Sequence, residues 1–111
     1  MLRESSIAFG YDLDIRAIAD DNVDSGVPGG GVILPFVDAA MTGTEVDRVA
    51  ARAAITFELG PESLVDAAGV FGNFQMMNRV AEGTGIPVPG AAIDREAHMV
   101  ETLGLDNFYK Y

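Results

Sequence analysis

The chain has 111 residues, a formal net charge of −10, 49% hydrophobic residues, one histidine and no cysteine. The length predicts a single domain with one core, and the missing cysteine excludes disulfides, thiolate metal sites and thiol nucleophiles. Seventeen acidic residues against seven basic ones argue against partners such as nucleic acid or an anionic membrane surface.

The N-terminal residues do not resemble a secretory signal, because Arg3 is followed by Glu4 and no apolar run comes after them. No segment approaches the roughly 18 apolar residues of a membrane-spanning helix. We therefore expect a cytoplasmic protein with no membrane partner.

The segment from Glu4 to Asp20 fits two patterns. Its apolar residues lie near helical spacing, but from Tyr11 to Ala17 they also alternate with charged residues, as in a strand. Helix is favoured although Gly10 weakens it, and an α+β fold with an N-terminal strand or hairpin remains the alternative.

Residues 22–35 interrupt the pattern. Three consecutive glycines, Gly29 to Gly31, follow Pro28, a composition that disfavours both a helix and a central strand. The sequence predicts a flexible connection here. The acidic residues before it lack the closing glutamate of a calcium loop, so no metal site is expected.

A first clear helix follows. Thr42 or Thr44 can cap it, with Glu45 or Asp47 as the reciprocal partner, and Gly60 ends it. One stripe of apolar residues recurs at helical spacing and predicts the packing face: Val46, Val49, Ala50, Ala53 and Phe57.

The next helix, from about Pro61 to Glu82, is the most apolar part of the chain. Apolar residues cover most of its circumference, which predicts a central helix or a subunit interface. Ala68, Gly69 and Gly72 make one side thin enough for close approach of another helix.

Candidate ligand-binding residues lie within this apolar helix. Asn73, Asn78 and Arg79 would need hydrogen-bond partners if they were buried, so they either tie the helix to neighbouring loops or contact an anionic ligand. Met77 belongs to a methionine and phenylalanine cluster that is either core or an adaptable pocket.

A last helix is expected from about Ala91 to Leu103, ended by Gly104 and followed by an aromatic tail that is expected to dock on a neighbouring surface. It carries His98 between two carboxylates, Asp94 and Glu101. A solvated charge pair, a metal shared between subunits and a catalytic base are the alternatives for this histidine.

The stretch from Leu59 to Pro87 contains Asn73-Phe74, then Asn78-Arg79, and a Gly85-Ile86-Pro87 stop. It resembles the C-terminal portion of the alkylhydroperoxidase D-like / carboxymuconolactone decarboxylase superfamily. The resemblance implies an all-α bundle of four or five helices and an obligate homo-oligomer. Redox members carry a Cys-x-x-Cys motif that this chain lacks, so peroxidase chemistry is not carried over.

The resulting expectation is a non-redox helical protein without cofactor, acting as an oligomeric scaffold or small-molecule binder. The alternative is a cofactor-free lyase or isomerase that acts on a small anionic substrate through Arg79 or His98. A subunit that needs another chain to complete a site is a third reading. The expected partner is a second copy of the chain, in a homodimer or larger assembly, because the apolar helix would otherwise expose a large patch.

Overall fold

The computed structural model of the chain describes residues 2–107. All regular structure in this range is helical, which confirms the expected all-α class. Six α-helices and two short 3₁₀ turns follow one another: α1 (Leu2–Phe9), a 3₁₀ turn (Ile15–Ile18), α2 (Gly30–Thr42), α3 (Glu45–Leu59), α4 (Pro61–Thr84), α5 (Gly90–Arg95), α6 (Ala97–Thr102) and a 3₁₀ turn (Leu105–Asn107).

The chain divides into two compact units, where the sequence predicts one domain. One unit consists of residues 27–84 and contains α2, α3 and α4, and the other joins residues 2–26 to residues 85–107. None of the helices between residues 2 and 107 is long and apolar enough to cross a membrane.

The N-terminal segment is helical over α1 and then breaks. Gly10 ends α1 with a positive φ of 72°, a conformation that favours glycine. Further on, the Asp14 side chain accepts a hydrogen bond from the Arg16 backbone N–H at 3.0 Å and caps the first 3₁₀ turn. The favoured helix is therefore confirmed only in part, and the strand alternative is not found in the part of the chain that the structure describes.

The glycine-rich stretch is the clearest error of the sequence-based prediction, because α2 begins within it at Gly30. Gly29 precedes the helix with φ +79°, and its carbonyl accepts hydrogen bonds from the backbone N–H groups of Val32 and Ile33. Gly30 therefore occupies a first turn, whose N–H groups need no helical acceptor. Pro35 removes one hydrogen bond from the helix, but burial of Phe36 and its neighbours outweighs these weak propensities.

Helix α3 begins and ends where the sequence predicts. Thr44 caps it, since the Asp47 N–H donates to Thr44 Oγ1 at 3.3 Å and the Thr44 N–H donates to Asp47 Oδ2 at 2.7 Å. These two bonds form a reciprocal capping box. Gly60 ends the helix with φ +94°, and α4 begins at the next residue, Pro61.

The core of the α2–α4 unit is small. It consists of three residues of α2 and two of α3: Val32, Phe36, Ala39, Ala51 and Ile55. Leu64 and Ala67 of α4 pack against this core. Phe36 also meets Phe71 of α4 edge to face, with ring centroids 6.5 Å apart. Helix α3 thus packs through a face that contains Ala51 and Ile55, and not through the stripe that the sequence predicts.

The single C-terminal helix expected from Ala91 to Leu103 is two short helices. Glu96 interrupts it with φ −103° and ψ 21°, between α5 and α6. Gly104 follows α6 with a positive φ of 64°, and its N–H donates to the Glu101 carbonyl at 3.1 Å. The tail residues 108–111, expected to dock on a neighbouring surface, lie outside the described residues.

Candidate functional site

The described residues cover helix α4 on one side only. Leu64, Ala67 and Phe71 lie on the half-buried side, and Gln75 on the same side donates to Met41 Sδ of α2 at 3.1 Å. No residue of α4 is fully buried. The opposite side, which we call the α4 face, is exposed to solvent and consists of Val65, Val70, Met76, Met77 and Val80.

The predicted packing stripe of α3 is exposed as well. Phe57 is 91% exposed and Val46 is 77% exposed, whereas Ile55 on the other side of the same helix is 0% exposed. We call the five residues Val46, Val49, Ala50, Ala53 and Phe57 the α3 stripe. Helix α3 therefore has two apolar sides, of which the described residues cover one.

The exposed areas are large for one unit. At the observed exposures, the α3 stripe and the α4 face each expose on the order of 400 Å² of apolar surface, which already equals the largest apolar patch of a typical monomer. Together they approach the roughly 800 Å² that each partner buries in a specific protein–protein interface. These two surfaces are the most prominent candidates for a binding function.

The predicted ligand-binding residues of α4 are not buried. Asn73, Asn78 and Arg79 are all exposed, so burial does not oblige them to have a protein partner. Asn73 Nδ2 donates a weak hydrogen bond to Met77 Sδ at 3.7 Å. Among the described residues no carboxylate forms an ion pair with Arg79. Within residues 2–107, Asn78 and Arg79 make no hydrogen bond or ion pair that would tie this end of α4 to neighbouring loops, so that expectation is wrong for the described residues.

The other two candidate features do not form a site either. Met76 and Met77 are exposed, while Phe71 turns towards Phe36, so the expected methionine and phenylalanine cluster is divided. His98 is exposed and belongs to the other unit. Within residues 2–107, no group of three potential ligands is arranged to hold a metal ion.

A cavity of about 430 Å³ lies between α2, α3 and α4. Each of the three helices contributes to its wall, which is apolar except for two arginines. The lining residues are Phe36, Ala40, Arg48, Arg52, Leu64, Val65 and Ala68. The predicted site residues are absent from this wall.

The two cavity arginines are held by one carboxylate. Arg48 Nε donates to Glu45 Oε2 at 3.0 Å, and Arg52 Nη2 donates to Glu45 Oε1 at 2.9 Å. Arg48 Nη1 also donates to the Gly43 carbonyl at 2.6 Å. The hydrogen bonds from Arg52 and Arg48 lower the pKa of Glu45 below its ordinary value of 4.5. The capping-box hydrogen bonds lower the pKa of Asp47, and the charge of Arg48 also lowers it, so two carboxylates balance the two guanidinium groups beside the apolar wall.

Sequence reasoning missed this cluster. Glu45, Arg48 and Arg52 lie off the apolar stripe, and their spacing of three and four residues along a helix was the available signal. The cavity itself could not be predicted, because Phe36 and Ala40 belong to α2, a helix that the glycine-rich stretch disfavours and that the sequence does not predict.

Comparisons of the chain with protein-family models, with curated proteins and with solved structures find no match.

Proposed function

We propose that the chain is an oligomeric helical scaffold, without thiol chemistry, whose copies associate through the α3 stripe and the α4 face. The observation that carries the proposal is the two-sided character of α3. One side, with Ala51 and Ile55, packs in the core, and the other side presents Phe57 almost fully to solvent. Covering both exposed surfaces would gain roughly 25 cal/mol for each Å² of apolar area removed from water.

The glycines of α4 support the same proposal. A side chain added at Gly69 or Gly72 would meet no atom of the described residues within 4 Å, so none of these residues approaches the helix there. At helical spacing, the two glycines lie on the same side of α4 as Val65 and Met76 of the α4 face. Small residues at such positions allow a second helix to come close, which increases the contact area between copies.

The resemblance to the alkylhydroperoxidase D-like / carboxymuconolactone decarboxylase superfamily is consistent with this proposal, since it also implies oligomers built from packed helices. The alternative of a cofactor-free lyase or isomerase has less support. Its candidate residues, Arg79 and His98, are both exposed and belong to different units. Neither of them lines the cavity between α2, α3 and α4.

The proposal is tested by placing a charge in the α3 stripe. Phe57→Glu should weaken self-association at least tenfold, measured by sedimentation velocity over a concentration series, because a carboxylate would be buried in an apolar interface. Thr56→Glu is the matched control, since Thr56 is exposed on the same helix but outside the stripe. Equal association of the unmodified chain and both variants would refute the proposal.

A further inference from the structure

We propose that the cavity between α2, α3 and α4 is a binding site for a small amphipathic carboxylate, with its acid group on Arg52 and its apolar body against Phe36 and Leu64. This site goes beyond the scaffold function, and it shares one residue, Val65, with the α4 face. The cavity lies within one compact unit, and its volume of about 430 Å³ falls in the range of roughly 300–1,000 Å³ typical of small-molecule sites.

The wall of the cavity fits a ligand that is apolar over most of its surface. Phe36 and Ala40 come from α2, and Leu64, Val65 and Ala68 come from α4. None of these five side chains offers a hydrogen bond, so they would contact hydrocarbon or an aromatic ring. Pockets of this kind obtain their specificity from a few polar groups placed at one end.

The polar groups at this site are both cationic. Arg52 uses Nη2 for Glu45, and its Nε and Nη1 have no acceptor within residues 2–107. Arg48 is more occupied, because it donates both to Glu45 and to the Gly43 carbonyl. Arg52 Nη2 carries two hydrogens and Glu45 accepts one of them. The other lies on an edge of the guanidinium together with Nε or Nη1, and that edge matches the two oxygens of a carboxylate, the bidentate arrangement typical of arginine.

Charge also distinguishes this site from the rest of the molecule. The chain as a whole carries a net charge of −10, which repels anions. The residues that line the cavity include two arginines and no carboxylate, so the acid group of a ligand would meet cationic side chains there. A cationic or neutral amphiphile would gain the apolar contacts without this pairing.

The test uses octanoate as the probe, with octylamine and octanol as ligands of the same chain length. Isothermal titration calorimetry on the full chain should show octanoate binding at least tenfold more tightly than the other two. Equal binding of all three, or no binding of octanoate at millimolar concentration, would overturn the proposal, since the arginines would then contribute nothing.

Two variants locate the site. Arg52→Gln should weaken octanoate binding about tenfold or more, and Ala68→Leu should block it by filling the cavity. Arg79→Gln is the control, because it removes one arginine of α4 that does not line the cavity. Circular dichroism checks that each variant folds. Unchanged affinity in Arg52→Gln, or an equal loss in Arg79→Gln, would refute the assignment.

One further variant distinguishes octanoate binding from self-association. Phe57→Glu should bind octanoate as well as the unmodified chain does, because Phe57 does not line the cavity. Loss of octanoate binding in this variant would show that the site requires the assembled protein and would overturn the assignment to a single unit.

Discussion

Replacing Ile55 by alanine tests the core of the α2–α4 unit most severely. Ile55 is 0% exposed and is surrounded by Val32, Phe36 and Ala51. The substitution removes three buried carbons, worth about 2.5 kcal/mol by transfer free energy, and leaves a void that raises the loss to about 3–4 kcal/mol. A core of this size supplies roughly 3–5 kcal/mol in total, so the variant should be close to unfolded.

The assay is urea unfolding of the full chain, followed by circular dichroism at a concentration where the chain is monomeric. For a slope of about 1 kcal/mol per molar urea, the midpoint should fall by about 3 M. Phe57→Ala is the matched control, two positions along the same helix and 91% exposed, and should change the monomer by less than about 0.5 kcal/mol. Equal losses in the two variants under these conditions would contradict the assignment of the two faces of α3.

Three further predictions concern the capping box, the α4 glycines and pH. Thr44→Ala should lower the free energy of unfolding by about 1 kcal/mol in the same urea assay, and no change would mean that the capping box contributes nothing. Gly72→Ala should stabilise the monomer by about 0.5–1 kcal/mol, because the added Cβ enters open space on a helix. The same substitution should weaken self-association in sedimentation, and stronger association would contradict close packing of a second copy at Gly72. Hydrogen bonds from Arg52 and Arg48 lower the pKa of Glu45, and hydrogen bonds from Thr44 lower that of Asp47. Both carboxylates therefore stabilise the fold at pH values above their ordinary pKa values of 4.5 and 3.8. This stabilisation is lost as the pH falls through their lower pKa values in the folded state. Thermal unfolding should therefore occur at lower temperature in acid, and Glu45→Gln should reduce that dependence; an unchanged dependence would refute it.

Local signals predicted α3 and α4 well. The threonine cap, Gly60 and Pro61 are short-range features whose effects depend on the backbone around them. The structure places the capping box at Thr44 and Asp47, and the junction between the two helices at Gly60. In the segment from Glu4 to Asp20, Gly10 weakens the predicted helix, and α1 ends directly before it.

Signals that depend on tertiary contacts were not readable from the sequence. The glycines and proline of residues 29–35 disfavour a helix locally, and α2 forms because it buries Val32, Phe36 and Ala39. The hydrophobic period of α3 predicts the α3 stripe as its packing face, and it could not show that the opposite side, with Ala51 and Ile55, would meet α2 and α4. Either apolar side of α3 could pack in the core, and the contacts with α2 and α4 determine which side does so.

The surroundings of the candidate site residues depend on the same tertiary contacts. Asn73, Asn78 and Arg79 were selected because α4 is apolar and was expected to be enclosed, but the described residues cover one side only. The cavity arginines lie on α3, where their charge marks them as surface residues. Their proximity to Phe36 depends on how three helices pack, which no single segment specifies.

The central claim is that a second copy of the chain covers the α3 stripe and the α4 face. Sedimentation equilibrium of the unmodified chain at micromolar concentration measures this directly. The account predicts a mass of at least twice the 11.7 kDa of one chain. A species of 11.7 kDa that persists as the concentration rises a hundredfold would contradict it.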